Sequence, residues 1–221
     1  PDQVREVNAM AHIQNELVDD ALGRVLATVE GRGWGDDLDV VFTTDHGEFQ
    51  GDFGLLFKGP YHVDALMRLP LVWRPAPSSA VPADVVTTPV GLLDLAPTFC
   101  RIAGIEVPGW MDGLPLPLSD DAGGVHGRRG VLTEWDSVHP NGTEVHLQSV
   151  FLDDLLYTRY EAGTCHDGTE GELYDLAEDP LQRVNLWSDP ERRSIRDDLG
   201  TALEDALPER SQPVLMAESP V

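Results

Sequence analysis

"VVFTTDHGEFQGDFGLLFKG", residues 40–59, opens as a β-branched strand and turns at once into a charged, glycine-punctuated loop. Val40, Val41 and Phe42 read as part of a short strand over residues 39–44, of the kind buried in a mixed or parallel sheet. Asp45, His46 and Glu48 follow directly, and Lys58 is the one lysine of the chain. Successive side chains of a strand point to opposite faces, so Asp45 and His46 converge only if the strand has ended and the backbone is turning. Gly47 permits that turn. In open α/β sheets ligands gather at the carboxyl ends of strands. A carboxylate oxygen and an imidazole nitrogen delivered there suit a divalent cation, and a lysine nearby suits an anion bound to it. Together they would neutralise charge on a phosphoryl- or sulfuryl-like group.

The residues alone leave a second reading open, because an isolated Asp-His pair is more often a capped loop or a surface hydrogen bond. Two familiar sites are excluded. Neither Asp45 nor Asp36 begins the alternating oxygen ligands of an EF-hand, and Lys58 precedes Gly59 without the Ser/Thr of a P-loop.

Around this loop the chain divides by texture. Val4, Val7, Met10, Leu17, Ala21, Val25 and Val29 recur at helical spacing from the start to about residue 29. "LPLVW" (69–73) is a second strand, and "TPVGLLDLAPTFCRIAG" (88–104) a helical stretch with Leu92, Leu95, Phe99 and Ile102 facing inward and Gly104 as its stop. Residues 107–130 lack periodicity and read as a surface excursion. Short strands are then expected at 131–135, 148–151, 155–160 and 172–176, as in an antiparallel sheet, followed by a helix over 190–207. The expected division is 1–120 as an α/β portion, 121–207 as a small antiparallel sheet with a packed helix, and 208–221 as a disordered tail.

With 15 basic and 39 acidic residues the net charge is −24, which argues against nucleic acid and anionic membranes as partners. No apolar run reaches the length of a membrane span, so a soluble acidic protein is expected. Two cysteines, Cys100 and Cys165, make neither a disulfide scaffold nor a zinc ligand set. Compartment and oligomeric state are not legible.

Four motifs in order carry a resemblance: "TTDHGEFQGDFGLLFKG", "MRLPLVW", "LLDLAPTFCRIAGIEVPGWMDGLPL" and "GELYDLAEDPLQRVNL", with "VDDALGRVL" near the start adding a fifth element. The sequence resembles the sulfatase family of the alkaline-phosphatase superfamily in its C-terminal portion. That resemblance implies an α/β fold: the C-terminal part of an alkaline-phosphatase-like sandwich plus a small antiparallel sheet with a C-terminal helix. It implies that Asp45 and His46 complete a divalent-metal site and that Lys58 contacts the sulfate group. The metal implied is calcium, with manganese or magnesium as alternatives. His62 follows Lys58 closely enough to line the substrate pocket, with a structural or surface histidine as the other reading. The implied reaction is hydrolysis of a small-molecule or saccharide sulfate ester by a formylglycine nucleophile. Phosphonate monoester or phosphodiester hydrolysis is an alternative shared by the Asp-His pair, and a non-catalytic remnant is another.

The family's C/S-x-P-S-R motif is absent, since neither "PTFCRIAG" nor "GTCHDG" continues into it. Nucleophile, activating arginine and the remaining metal ligands are therefore expected upstream, and this chain alone is expected to be inactive. Several other polar groups read as structural. Cys165–His166–Asp167, His139, His146, the sequon at Asn141, Tyr174 and Asp175 are taken as loop, turn or packing residues, and Glu134 and Trp135 as candidates for the rim of the site.

Overall fold

The amphipathic pattern of the first thirty residues produces one long helix, α1 (Asp2–Gly31), which ends in a glycine-rich turn where Gly33 adopts φ 73°. The structure is a computed structural model and describes residues 2–117 and 128–207. No residue of α1 is buried, and Met10 and Leu17 are 60% and 63% exposed. Its first turns meet the segment around Gln50, and its last turn accepts from Trp34 N through Val29 O at 3.2 Å. Asn8 Nδ2 donates to Gln50 O at 3.2 Å, and any side chain at Gly51 would collide with Val4.

Strand β1 (Val40–Thr43) pairs with β4 (Leu71–Arg74) in antiparallel register, Val40 opposite Arg74 and Thr43 opposite Leu71. Trp73 Nε1 donates to Asp39 Oδ1 at 2.8 Å and fixes one end of the pair. The expectation of a buried strand in a parallel or mixed sheet is corrected here. Among the described residues the only partner is antiparallel, and Phe42 and Val72 stay 39% and 61% exposed because no layer covers them. Between the two strands lie a small hairpin, β2 (Phe49–Gln50) with β3 (Leu56–Phe57), and a single helical turn, α2 (Asp64–Met67). Phe49, Val63 and Leu66 form a compact apolar cluster under this segment, with Tyr61 and Phe53 set edge-on to Phe49.

Helix α3 (Leu95–Ile102) forms as read and ends at Gly104, whose φ is 67°. Asp94 before it is fully buried. Its carboxylate accepts from Gly91 N and Leu114 N, both at 2.9 Å, and pairs with Arg128. Thr98 Oγ1 donates to Asp94 O and accepts from Leu116 N at 2.7 Å. The "LLDLAPT" stretch thus works as a clamp on the following loop, since leaving either buried group unpaired would cost about 1–3 kcal/mol. Leu92, Phe99 and Ile102, expected to face inward, are 41%, 49% and 40% exposed among the described residues.

The second half is a meander of four antiparallel strands: β5 (Gly130–Val138), β6 (Glu144–Leu152), β7 (Leu155–Tyr160) and β8 (Gly171–Asp175). Asp153 and Asp154, with φ 51° and 63°, make the two-residue turn between β6 and β7, where positive φ at both positions matches the strand twist. The outer edge of β8 is closed by Asn185. Its Oδ1 accepts from Leu173 N at 3.1 Å, and its Nδ2 donates to Gly171 O at 3.1 Å. Helix α4 (Arg193–Ala206) follows a proline-started turn capped by Asp189. Its Ile195, Leu199 and Leu203, spaced by four, pack on Val150, Tyr157 and Leu173.

The architecture is therefore α/β, with a C-terminal antiparallel sheet and a packed helix, as expected. The expected boundary near residue 120 and the tail at 208–221 lie outside the described residues. Among the described residues no helix is long and apolar enough to cross a membrane.

Candidate functional site

The carboxyl end of β1 releases the chain at Thr44, and the next two side chains turn toward each other. Asp45 Oδ1 accepts from His46 N at 3.0 Å, while Oδ2 lies 3.6 Å from His46 Nε2. The Asp45 side chain is 87% exposed. Hydrogen bonding to its own backbone amide, then the adjacent imidazole and Lys58, hold its carboxyl below the usual carboxylate range, so it is ionised at neutral pH.

His46 Nδ1 sits 2.8 Å from Gly47 O. A carbonyl can only accept, so Nδ1 carries the proton and Nε2 presents its lone pair. Lys58 Nζ lies 2.9 Å from that Nε2 and donates to it. The structure thus brings together three of the four residues expected at the site. A carboxylate oxygen and an imidazole nitrogen 3.6 Å apart can share one cation at coordination distances of about 2.0–2.6 Å. The donor set therefore fits a divalent cation, with the lone pair fixed on the nitrogen that faces the carboxylate. A cation on Nε2 and the Lys58 hydrogen bond exclude each other, because both use the same lone pair. Among the described residues no group of three or more His, Cys, Asp or Glu side chains could hold a metal, so this pair supplies two ligands and no more.

The loop that carries Lys58 owes its course to unusual backbone. Gly51 and Gly54 have φ 115° and 75°, and Phe57, immediately before Lys58, has φ 69°. An aromatic residue in the left-handed region costs roughly 1–2 kcal/mol. Gly47 has a different role from the one expected. Its φ is not positive; instead a methyl group there would lie 2.0 Å from Ala65 O. Gly47 N also donates to Leu66 O at 2.8 Å, so the backbone of α2 rests directly on the residue after His46.

His62, expected to line the substrate pocket, is placed otherwise. It is 3% exposed, and its Nδ1 lies 2.6 Å from Ser149 Oγ on β6. Burial lowers its pKa to about 4, so the ring is neutral and turned into the sheet. Ser149 Oγ in turn lies 2.7 Å from Thr158 Oγ1 on β7. Two residues on, Asp64 N donates to Gln182 Oε1 at 2.8 Å. Ser149 and Gln182 had no signal in the sequence, because they meet the loop across 87 and 118 residues.

The remaining polar groups have structural partners. His146 pairs with Asp136, and His166 stacks on Tyr160 at 4.3 Å beside Glu170. Glu134 accepts from Gln148, which accepts from Arg159 in a network running across the sheet. Tyr174 is buried, and Asp175 accepts from Glu178 N in the following turn. Cys100 and Cys165 are free thiols. Two concavities, one along α1 by His12 and Glu16 and one beside Trp187, contain none of the loop's charged side chains.

The family profile described as N-sulphoglucosamine sulphohydrolase, C-terminal, matches residues 51–209. The chain belongs to the sulfatase family, within the alkaline-phosphatase superfamily, and matches its C-terminal domain. The uncharacterized sulfatase YidJ of Escherichia coli (strain K12) is 31% identical over 201 residues, which cover 87% of this chain and 36% of that protein. Among solved structures, the phosphonate monoester hydrolase of Agrobacterium radiobacter superposes with a TM-score of 0.72 at 25% identity, covering 86% of this chain and 38% of that one. A structure solved in complex with its substrate D-glucosamine-2-N,6-O-disulfate gives a TM-score of 0.69 at 26% identity, covering 85% and 37%. The chain thus spans little more than a third of the length of these relatives.

Proposed function

We propose that this chain supplies part of the active site of a sulfuric-ester hydrolase acting on a small-molecule or saccharide sulfate ester. The observation that carries the reading is the convergence of Asp45 Oδ2, His46 Nε2 and Lys58 Nζ at the end of β1. Asp45 and His46 would hold a divalent cation, calcium first, whose Lewis acidity draws charge from the ester's anionic oxygens. Manganese and magnesium are the alternatives; the imidazole, a softer donor than calcium's usual oxygens, speaks for manganese, whereas magnesium shares calcium's preference for oxygen. Asp45, ionised at neutral pH, contributes the negative charge, and His46 a neutral donor of fixed tautomer. Lys58 places an ammonium point charge beside them, where it can offset charge that grows on the sulfuryl oxygens in the transition state. The nucleophile, a formylglycine by family resemblance, is not among the residues of this chain, so the chain alone should not turn over substrate. His62 we assign to support rather than to the ester, because its ring is buried against Ser149.

The structural likeness to a phosphonate monoester hydrolase favours a second reading, in which the same charges serve a phosphonate ester. Assay of the full-length protein against an aryl sulfate and a phenyl phosphonate separates the two. Higher kcat/KM on the sulfate is expected; higher kcat/KM on the phosphonate would overturn the first reading in favour of the second.

A further inference from the structure

Residues 62–66 link the elements of the candidate site to the second half of the chain. On one side, α2 supports the metal loop by its backbone. Gly47 N donates to Leu66 O at 2.8 Å, Ala65 O fills the space a side chain at Gly47 would need, and Gly47 O receives the His46 Nδ1 proton at 2.8 Å. On the other side, two buried side chains of the second half reach the same segment. Ser149 Oγ lies 2.6 Å from His62 Nδ1, and Gln182 Oε1 accepts from Asp64 N at 2.8 Å. His62, Ser149, Thr158 and Gln182 are 3%, 2%, 1% and 4% exposed, so water does not compete for these bonds. Leu66 and Val63, the apolar members of the segment, pack against Phe49 just past the loop.

Resting on the metal reading above, we propose that His62, Ser149 and Gln182 are positioning residues that bracket α2 to the C-terminal sheet and the turn that follows it. The bracket fixes the Gly47 carbonyl and with it the orientation and tautomer of His46. The path is short and each link is named: β6 holds residue 62, the turn after β8 holds residue 64, Leu66 O holds Gly47, and Gly47 O holds the ring. A carbonyl free to rotate would let His46 exchange its Nδ1 and Nε2 protons, and rings in the Nε2–H form would then turn an N–H toward the cation. Partners that orient a metal-ligating histidine in this way commonly contribute 10- to 100-fold in metal affinity, and a bracket one link further out should contribute about tenfold. The C-terminal sheet is in this view a support for the metal ligand as well as a folding unit.

The test uses the full-length protein, with calcium affinity read by chelator competition and the His46 ring nitrogens read by ¹⁵N NMR on the metal-free form. Ser149→Ala and Gln182→Met should each weaken calcium binding about tenfold and shift the His46 signals toward a mixture of tautomers. His62→Leu should do the same, whereas His62→Asn, which keeps a hydrogen-bonding atom near the Nδ1 position, should stay within twofold of wild type. A loss of fold would affect His62→Asn and His62→Leu alike, so their difference identifies the bracket even where one of the other variants does not fold. Equal affinities for His62→Leu and His62→Asn, or unchanged affinity in Ser149→Ala and Gln182→Met, would overturn the inference. Asp45→Ala serves as the control for the underlying reading: if it loses calcium while the bracket variants keep it, only the bracket fails. Calcium retained in Asp45→Ala overturns both.

Discussion

At the scale of single residues, the site depends on which nitrogen of His46 carries its proton. The Gly47 carbonyl decides it, leaving Nε2 as a lone pair between a carboxylate and an ammonium. Asp45, His46 and Lys58 were legible in the sequence because the first two are adjacent at a strand end and the third is the chain's only lysine. Gly47 was legible as necessary but for the wrong reason, since close approach of the Ala65 carbonyl is a tertiary fact that local pattern does not encode. Of the two readings left open for His62, pocket or structural, its burial against Ser149 supports the structural one, because nearness in sequence to Lys58 says nothing of which way the ring turns. Its burial has a consequence for stability. The unfolded chain takes up a proton at the ordinary 6.5, whereas the folded ring resists it until about 4. Between those values the unfolded state binds more protons, so stability should fall as pH drops through the window and level off below it. The total is at most roughly 3 kcal/mol. Urea unfolding at a series of pH values should show this slope in the wild type and lack it in His62→Asn. Asp64 and Glu172, whose carboxyls burial pushes up, act in the opposite sense and are common to both proteins.

Among the elements, those with an internal partner were read best. The C-terminal meander and α4 follow from alternating and fourfold spacings that close on one another within the described chain. Leu203 is completely buried there, and Leu203→Ala should cost about 2–5 kcal/mol in urea unfolding through loss of burial and a residual cavity. A cost below 1 kcal/mol would mean that α4 does not seal the sheet as described. By contrast, α1, β1, β4 and α3 were located correctly but their surroundings were not. Met10, Leu17, Phe42, Val72 and Phe99 form apolar faces that remain exposed among the described residues. Periodicity reports that a face is apolar; it does not report what covers it.

For the molecule as a whole, residues 62–66 connect the charged loop of the first half to the sheet of the second and to the turn after it, by bonds that span 87 and 118 positions. Contacts of that range leave no local signature, which is why the Asp45–His46 pair was visible in the sequence and the bonds behind it were not. The net charge of −24 is spread over both halves, so the Lys58 ammonium lies in an otherwise acidic field, where an anionic ester needs a local cation to be held. The central claim is that Asp45 and His46 are metal ligands. Its most direct test is the metal content of the purified full-length protein and its Asp45→Ala variant, measured by elemental analysis after dialysis. The account predicts about one divalent cation per wild-type chain and its loss from the variant; an equal metal content in the two would contradict it.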